Sequence, residues 1–185
     1  MTDELKKKEW WEEASDNAGS DFYDLKVGSS RVRVLTRFER VNSLFQGVYP
    51  NSKYIGKVDD NYVPKDNEKV NVQGWAWIID RATGELKIAQ FGRAILTAIT
   101  ALKNNPDYAF DDFPMPYDIT INNTGEGANR YTITPARQNT EVTEEEMAQL
   151  NKKKTIADII VAIDNKQKKS PDYPESNESN SAGKF

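Results

Sequence analysis

The sequence predicts a mainly β, α+β domain: a small, partly open antiparallel barrel with one helix inserted before its last hairpin and more helices after it. Three observations carry this. The β-branched and aromatic runs pair with their neighbours through short turns, which is hairpin order. The clear helical period in the middle of the chain lies between two such hairpins. No strand–helix–strand rhythm of the kind that builds a parallel sheet appears.

Residues 3–15 gather helix formers around Trp10 and Trp11, and residues 15–21 are turn chemistry, so 1–25 reads as an arm or short helix. Arg31 to Val41 alternates. Val32, Val34, Thr36 and Phe38 take one face; Arg31, Arg33, Leu35 and Arg37 take the other. This is a strand with a basic stripe. Residues 42–69 are irregular, with one short strand at Lys53–Val58 and a long loop. Val70–Asp80 is a strand, 81–84 a turn, and Glu85–Phe91 the returning strand. Ile95, Ala98, Ile99 and Leu102 then recur at helical spacing, which predicts an amphipathic helix over Arg93–Lys103, ended by Asn105-Pro106.

The last hairpin is formed by residues 117–122 and 130–135 around a Thr124-Gly-Glu-Gly127 turn. Tyr117, Ile119 and Ile121 belong to its apolar face; Asp118, Thr120 and Asn122 to its polar face. Thr143 followed by Glu146 is a capping-box pattern, and Ile156, Ile159, Ile160 and Ile163 mark a final helix. The chain thus divides into an arm (1–25), a core (26–140), a helical segment (141–165) and a disordered tail (166–185). The order of elements in the core fits an OB-fold-like barrel, the oligonucleotide-binding architecture.

Composition removes several chemistries. The 185 residues include no Cys and no His, which excludes disulfides, zinc fingers, thiol nucleophiles and imidazole acid–base chemistry within this chain. No cofactor or metal is expected. No apolar run approaches a membrane span, and none at the N-terminus has signal-peptide length, so a soluble, cytoplasmic protein with no membrane partner is expected. The net charge of −4 is unevenly spread. Residues 1–30 hold 4 basic and 8 acidic groups, 31–140 hold 14 and 12, and 141–185 hold 7 and 9. The middle is mildly basic between acidic ends, and it is the local field that a charged partner meets.

Two features point to nucleic acid. Trp75 and Trp77 share one strand face with Asn71 and Gln73. Two placements fit them: outward as stacking platforms, or packed under a helix or loop. The outward placement would offer about 1–3 kcal/mol per stacked base. Arg31, Arg33 and Arg37, extended by Lys57, Lys87, Arg130 and Arg137, could track phosphates. Tyr54 and Tyr131 are further stacking candidates. The acidic group Asp107, Asp111, Asp112 and Asp118 lacks a nucleophile or basic partner; it reads as a charged region competing with DNA for the basic face. No nucleophile–base pair or phosphate-cradling loop is visible, so a non-enzymatic protein is expected.

Four segments resemble the gene-32-like single-stranded DNA-binding proteins of tailed phages. They are Gly28-Ser-Ser-Arg-Val-Arg-Val-Leu35, Trp75-Ala-Trp-Ile-Ile-Asp-Arg-Ala-Thr-Gly84, Gly92-Arg-Ala-Ile95, and residues 117–121 with 124–127 and 130–135. The resemblance covers about residues 26–140. It implies an OB-fold that coats and protects single-stranded DNA in phage replication, recombination and repair, inside the bacterial host cell. It also implies an acidic C-terminal tail that recruits replication or recombination proteins. Members with a zinc site build it from Cys and His; this chain resembles a zinc-less branch, nearer the T7-type proteins. The tail ends in Phe185 but is only weakly acidic, with Asp172, Glu175 and Glu178 against Lys184. The arm with Trp10 and Trp11 could support self-association along a strand. The alternative is a non-catalytic protein-interaction module, such as a phage structural or host-takeover factor. It predicts that Trp75 and Trp77 are buried and that the arginine stripe pairs with Asp and Glu.

Overall fold

The computed structural model describes residues 21–48 and 51–169. The expectations for Trp10, Trp11 and Phe185 fall outside them. The strands are β1 (Gly28–Val34), β2 (Glu39–Gln46), β3 (Lys53–Val58), β4 (Glu68–Asp80), β5 (Glu85–Gly92), β6 (Ile119–Asn123) and β7 (Tyr131–Pro135). The helices are α1 (Arg93–Lys103), α2 (Glu144–Lys152) and α3 (Ile156–Gln167). All named pairings are antiparallel, in the order β3-β2-β4-β1-β6-β7, with β5 added to β4. The sheet is not closed.

β4 organises the sheet because it is long. Its 13 residues, at about 3.3 Å each, give an edge that accepts two strands end to end. β2 pairs from Glu68 to Trp75, and β1 pairs from Ile78 to Asp80. The stripe read as one strand from Arg31 to Val41 is therefore two strands. Five residue steps from Val34 to Glu39 face only three from Ile78 to Trp75, so the surplus must loop out. Leu35 N–H still donates to the Trp77 carbonyl, and Trp77 N–H donates to Thr36 Oγ1, which holds the bend against β4.

From Gly74 to Ile79, β4 is buried on both faces. On one, Ala76 and Ile78 join Val32, Val34, Ala89, Phe91, Ile119 and Ile121, closed off by Ile95 and Ile99 of α1. Gly74 permits that closure: a Cβ there would lie 2.8 Å from Leu96 Cδ2 and 3.2 Å from Phe38 Cβ. On the other face, Trp75, Trp77 and Ile79 pack with Leu35, Val41, Leu86, Ile88 and Ile156. Phe22, Val142, Leu150, Ile159, Ile160 and Ile163 complete this second core.

The capping box of α2 has both reciprocal bonds. Glu146 N–H donates to Thr143 Oγ1 at 3.1 Å, and Thr143 N–H donates to Glu146 Oε2 at 2.9 Å. Thr155 caps α3 by accepting from Asp158 N–H. α3 runs on to Gln167, into the stretch expected to be tail, and the Gln167 side chain explains the extension. Its Oε1 accepts from the Lys57 N–H on β3, and its Nε2 donates to Tyr54 Oη. The bond takes up a backbone donor of β3, the strand at the end of the sheet order.

The loop before β4 carries a pH prediction. Lys65 N–H and Tyr62 Oη both donate to Glu68 Oε2, at 2.8 and 2.7 Å. The bond from Lys65 N–H, then that from Tyr62, holds Glu68 below the usual carboxylate range. Burial, then the bond to Glu68, pushes Tyr62 up to about 12. A depressed carboxylate contributes stability above its unfolded pKa, about 4.3, and loses it as pH falls through the folded value. A raised tyrosine contributes below its unfolded pKa, about 10, and loses it as pH rises through the folded value. Tyr62→Phe should move Glu68 back toward the ordinary range, read from its carboxyl carbon in an NMR titration; an unchanged midpoint would remove Tyr62 as a cause.

Candidate nucleic-acid interface

The polar face of the β6 strand is not a solvent face. The β1–β6 register sets Arg31 opposite Thr120, which carries Arg33 to face Asp118. Asp118 is fully buried, with a relative exposure of 0 %. Arg33 Nε donates to its Oδ1 at 2.6 Å, Arg81 Nε to the same oxygen at 3.2 Å, and Arg31 Nε to Oδ2 at 3.0 Å. The competing acidic loop expected from Asp118 is thus, at this residue, an internal counter-charge.

Arg33 Nη1 donates to the Met115 carbonyl before β6 at 3.1 Å, and other guanidinium donors reach the chain that follows β7. Arg33 Nη2 and Arg81 Nη2 donate to the Thr140 carbonyl, and Arg31 Nη2 donates to that of Gln138. Arg81 Nη1 donates to Glu146 Oε1 at 3.0 Å. Glu146 therefore closes the α2 capping box with one oxygen and binds Arg81 with the other. Three guanidiniums meet two carboxylates here, leaving one excess positive charge.

Trp75 and Trp77, for which an outward face was one placement, are 5 % and 2 % exposed. The physical reason is the second core: α3 and the junction before it lie on the tryptophan face. Trp77 Nε1 donates to the Lys154 carbonyl at 3.0 Å, and Phe22 meets Trp75 edge-on at 5.3 Å. Arg33, only 3 % exposed, is equally withdrawn. In this conformation none of the three offers a surface for stacking or for phosphate.

The other expected residues stand at separate places. Arg31 and Lys87 border one groove, described below. Arg37 is exposed and pairs with Asp112 at 3.3 Å. Tyr54, 47 % exposed, meets Phe45 at 5.5 Å on the β2–β3 hairpin. Lys57 is half-buried, its Nζ 3.6 Å from Asp164. Arg130 lies over the Tyr131 ring, 4.9 Å from its centroid, beside the β6–β7 turn. Arg137 is exposed beyond β7.

The groove, of about 1120 Å³, runs between the segment before β1, the start of β1 and the β4–β5 turn. Lys26, Arg31, Arg81 and Lys87 line it, against Asp24, Asp80 and Glu85. Hydroxyls from Ser29, Ser30, Thr83, Thr120 and Thr140, and the rings of Phe22 and Tyr23, complete it. Burial pushes the Tyr23 hydroxyl above its ordinary pKa, so it stays a neutral donor. Sequence reasoning missed Phe22, Tyr23, Lys26 and Arg81. A bridge from Phe22 to Ile88, with Tyr23 N–H donating to the Ile88 carbonyl, places the first two along the free edge of β5. The turn chemistry before Phe22 gave no sign of that pairing.

Among the described residues no group of three or more His, Cys, Asp or Glu could hold a metal ion. Among them, too, no helix is long and apolar enough to cross a membrane. Comparison with family models, curated proteins and solved structures finds no match for this chain.

Proposed function

We propose that the protein binds single-stranded DNA without sequence preference, coating and protecting it in phage-type replication, recombination and repair. The observation that carries this is the groove. It combines cations for a phosphate backbone, hydroxyl donors and two aromatic rings, the combination that suits a single strand. The connection order adds support by fold analogy. β1 and β2 act as one bent strand, β4 and β5 complete a meander, α1 follows, and β6 returns to β1. That order is similar to an OB-fold's, although the sheet is not closed, and the likeness supports the reading by analogy alone. In that reading the β2–β3 excursion and the β6–β7 turn, with Tyr54, Arg130 and Tyr131, are the loops next to the strand. In the same reading the weakly acidic residues after 169 would recruit replication or recombination proteins, and residues 1–20 would support self-association.

Labelled oligo-dT should bind at low salt. Its log affinity should fall with log salt at a slope of about −3 if four phosphates are neutralised, at about −0.7 each. Absence of any anisotropy change at low salt would refute the reading. A second reading is favoured by specific contacts. Buried Trp75 and Trp77, with arginines paired to Asp118 and Glu146, are what a non-catalytic protein-interaction module requires. A stoichiometric protein partner surviving nuclease treatment, with no oligo-dT binding, would select it.

A further inference from the structure

The end of β4 far from the groove carries an exposed ring. There Lys69 of β4, Phe45 of β2 and Tyr54 of β3 form one row across the sheet, because Phe45 pairs with both of the others. A bulge brings Tyr54 into that row. Leu44 pairs with Gly56 but Phe45 with Tyr54, so Ile55 is passed over and the tyrosine takes its place beside Phe45. The two rings meet edge-on at 5.5 Å, and Gln167 Nε2 donates to Tyr54 Oη at 3.3 Å. Gln167 is itself buried and anchored, its Oε1 accepting from the Lys57 N–H. The hydroxyl is thus held at the end of α3 while 47 % of the residue stays exposed. A ring fixed at two points has little rotamer freedom left to lose when a ligand lies on it.

We propose that this row is a second contact for the strand, one base stacking on Tyr54 and the adjoining phosphate meeting Lys69. The inference rests on the single-strand reading and adds a site outside its groove. β4 sets the row eleven residues from Asp80 at the groove, about 36 Å at 3.3 Å per residue. Charge favours this occupant. Lys53 and Lys57 on β3, Lys69 on β4 and Lys168 after α3 outnumber Glu68 and Asp164. Asp164 is shared by Lys57 and Lys168, at 3.6 and 3.1 Å. Glu68 alternates to the other face of β4, and its Oε2 is taken by the Lys65 N–H and Tyr62. Lys69 is exposed and has no ion pair among the described residues. Burial pushes the Tyr54 hydroxyl above its ordinary pKa, so the ring stays neutral beside a phosphate.

The test measures anisotropy of oligo-dT and of an abasic oligonucleotide of equal length on the full chain. Tyr54→Leu should bind oligo-dT about tenfold more weakly at an unchanged salt slope, since it loses a stacking ring and no charge. It should bind the abasic strand as the parent does. Tyr54→Phe keeps the ring and should match the parent on both. Lys69→Ala should make the slope shallower by about 0.7, and Lys103→Ala, on α1, should leave it unchanged. In the parent, the Tyr54 ring resonances should move upfield as oligo-dT is added, a readout that needs no variant. If oligo-dT binds while those resonances stay fixed and Tyr54→Leu matches the parent, the second contact is refuted and the strand reading survives. If Tyr54→Leu weakens abasic binding equally, Tyr54 only shapes the hairpin and stacking is refuted. If Tyr54→Leu and Lys69→Ala weaken binding while Lys26→Ala does not, the second contact stands and the groove falls. If oligo-dT never binds, both fall.

Discussion

Asp118→Asn should cost about 3–5 kcal/mol of folding stability, a large part of the 5–15 kcal/mol available to a domain of this kind. The isostere keeps the volume and removes the charge. Arg33 then remains buried with its guanidinium facing an amide, and burying an uncompensated charge is the expensive event. The amide also turns an N–H₂ toward one of the donors that now converge on Oδ1 and Oδ2. Arg31 and Arg81, which reach solvent, can relax; Arg33 cannot. Urea unfolding should show a lower midpoint. Hydrogen exchange should quicken first in residues 138–146, because the same arginines hold that segment. A cost below about 1 kcal/mol would mean that the cluster is solvated. The variant also separates stability from function. Where it stays folded, the groove loses a nearby negative charge, so oligo-dT affinity should rise while the midpoint falls.

Much of this fold was legible because local chemistry decided it. The α1 period, the Thr143-x-x-Glu146 box and the glycine turn of the last hairpin each act within a few residues, and each element stands where expected. The faces were less legible. Alternation in β4 marks two faces but does not say that both are covered. The continuous run Trp75-Ala-Trp-Ile-Ile79 is the signature of a strand buried on both sides, and it outweighs the polar Asn71 and Gln73 nearer the strand's start. The helices that provide the second cover lie some seventy residues later. The arginine stripe misled for a related reason. Arg31 and Arg33 look like a surface until the β1–β6 register sets Asp118 against them, and a register is a long-range fact.

Trp77→Ala should cost about 3–5 kcal/mol, the range for removing a large buried aromatic. The side chain sits at the centre of the second core, between the sheet and Leu150, Ile156 and Ile159. The deletion would also leave the Lys154 carbonyl without its indole donor. Trp77→Phe separates these effects: it keeps most of the packing and gives up the hydrogen bond, so it should cost about 1 kcal/mol. Val161→Ala, at an exposed position of α3, should stay within about 0.5 kcal/mol. Because α2 and α3 are held to the sheet chiefly through this core and the arginine contacts, Trp77→Ala should loosen them before the rest. Amides of α2 and α3 should exchange faster than those of β4 and β5, a sub-global opening and not a uniform loss. The result bears on function as well. With Trp10 and Trp11 replaced by Phe, iodide should quench Trp75 and Trp77 poorly in the otherwise unchanged protein, and Trp75 better in Trp77→Ala. A Trp77→Ala cost under about 1 kcal/mol, with free quenching in the parent, would place the tryptophans outward after all and return them to the list of stacking platforms.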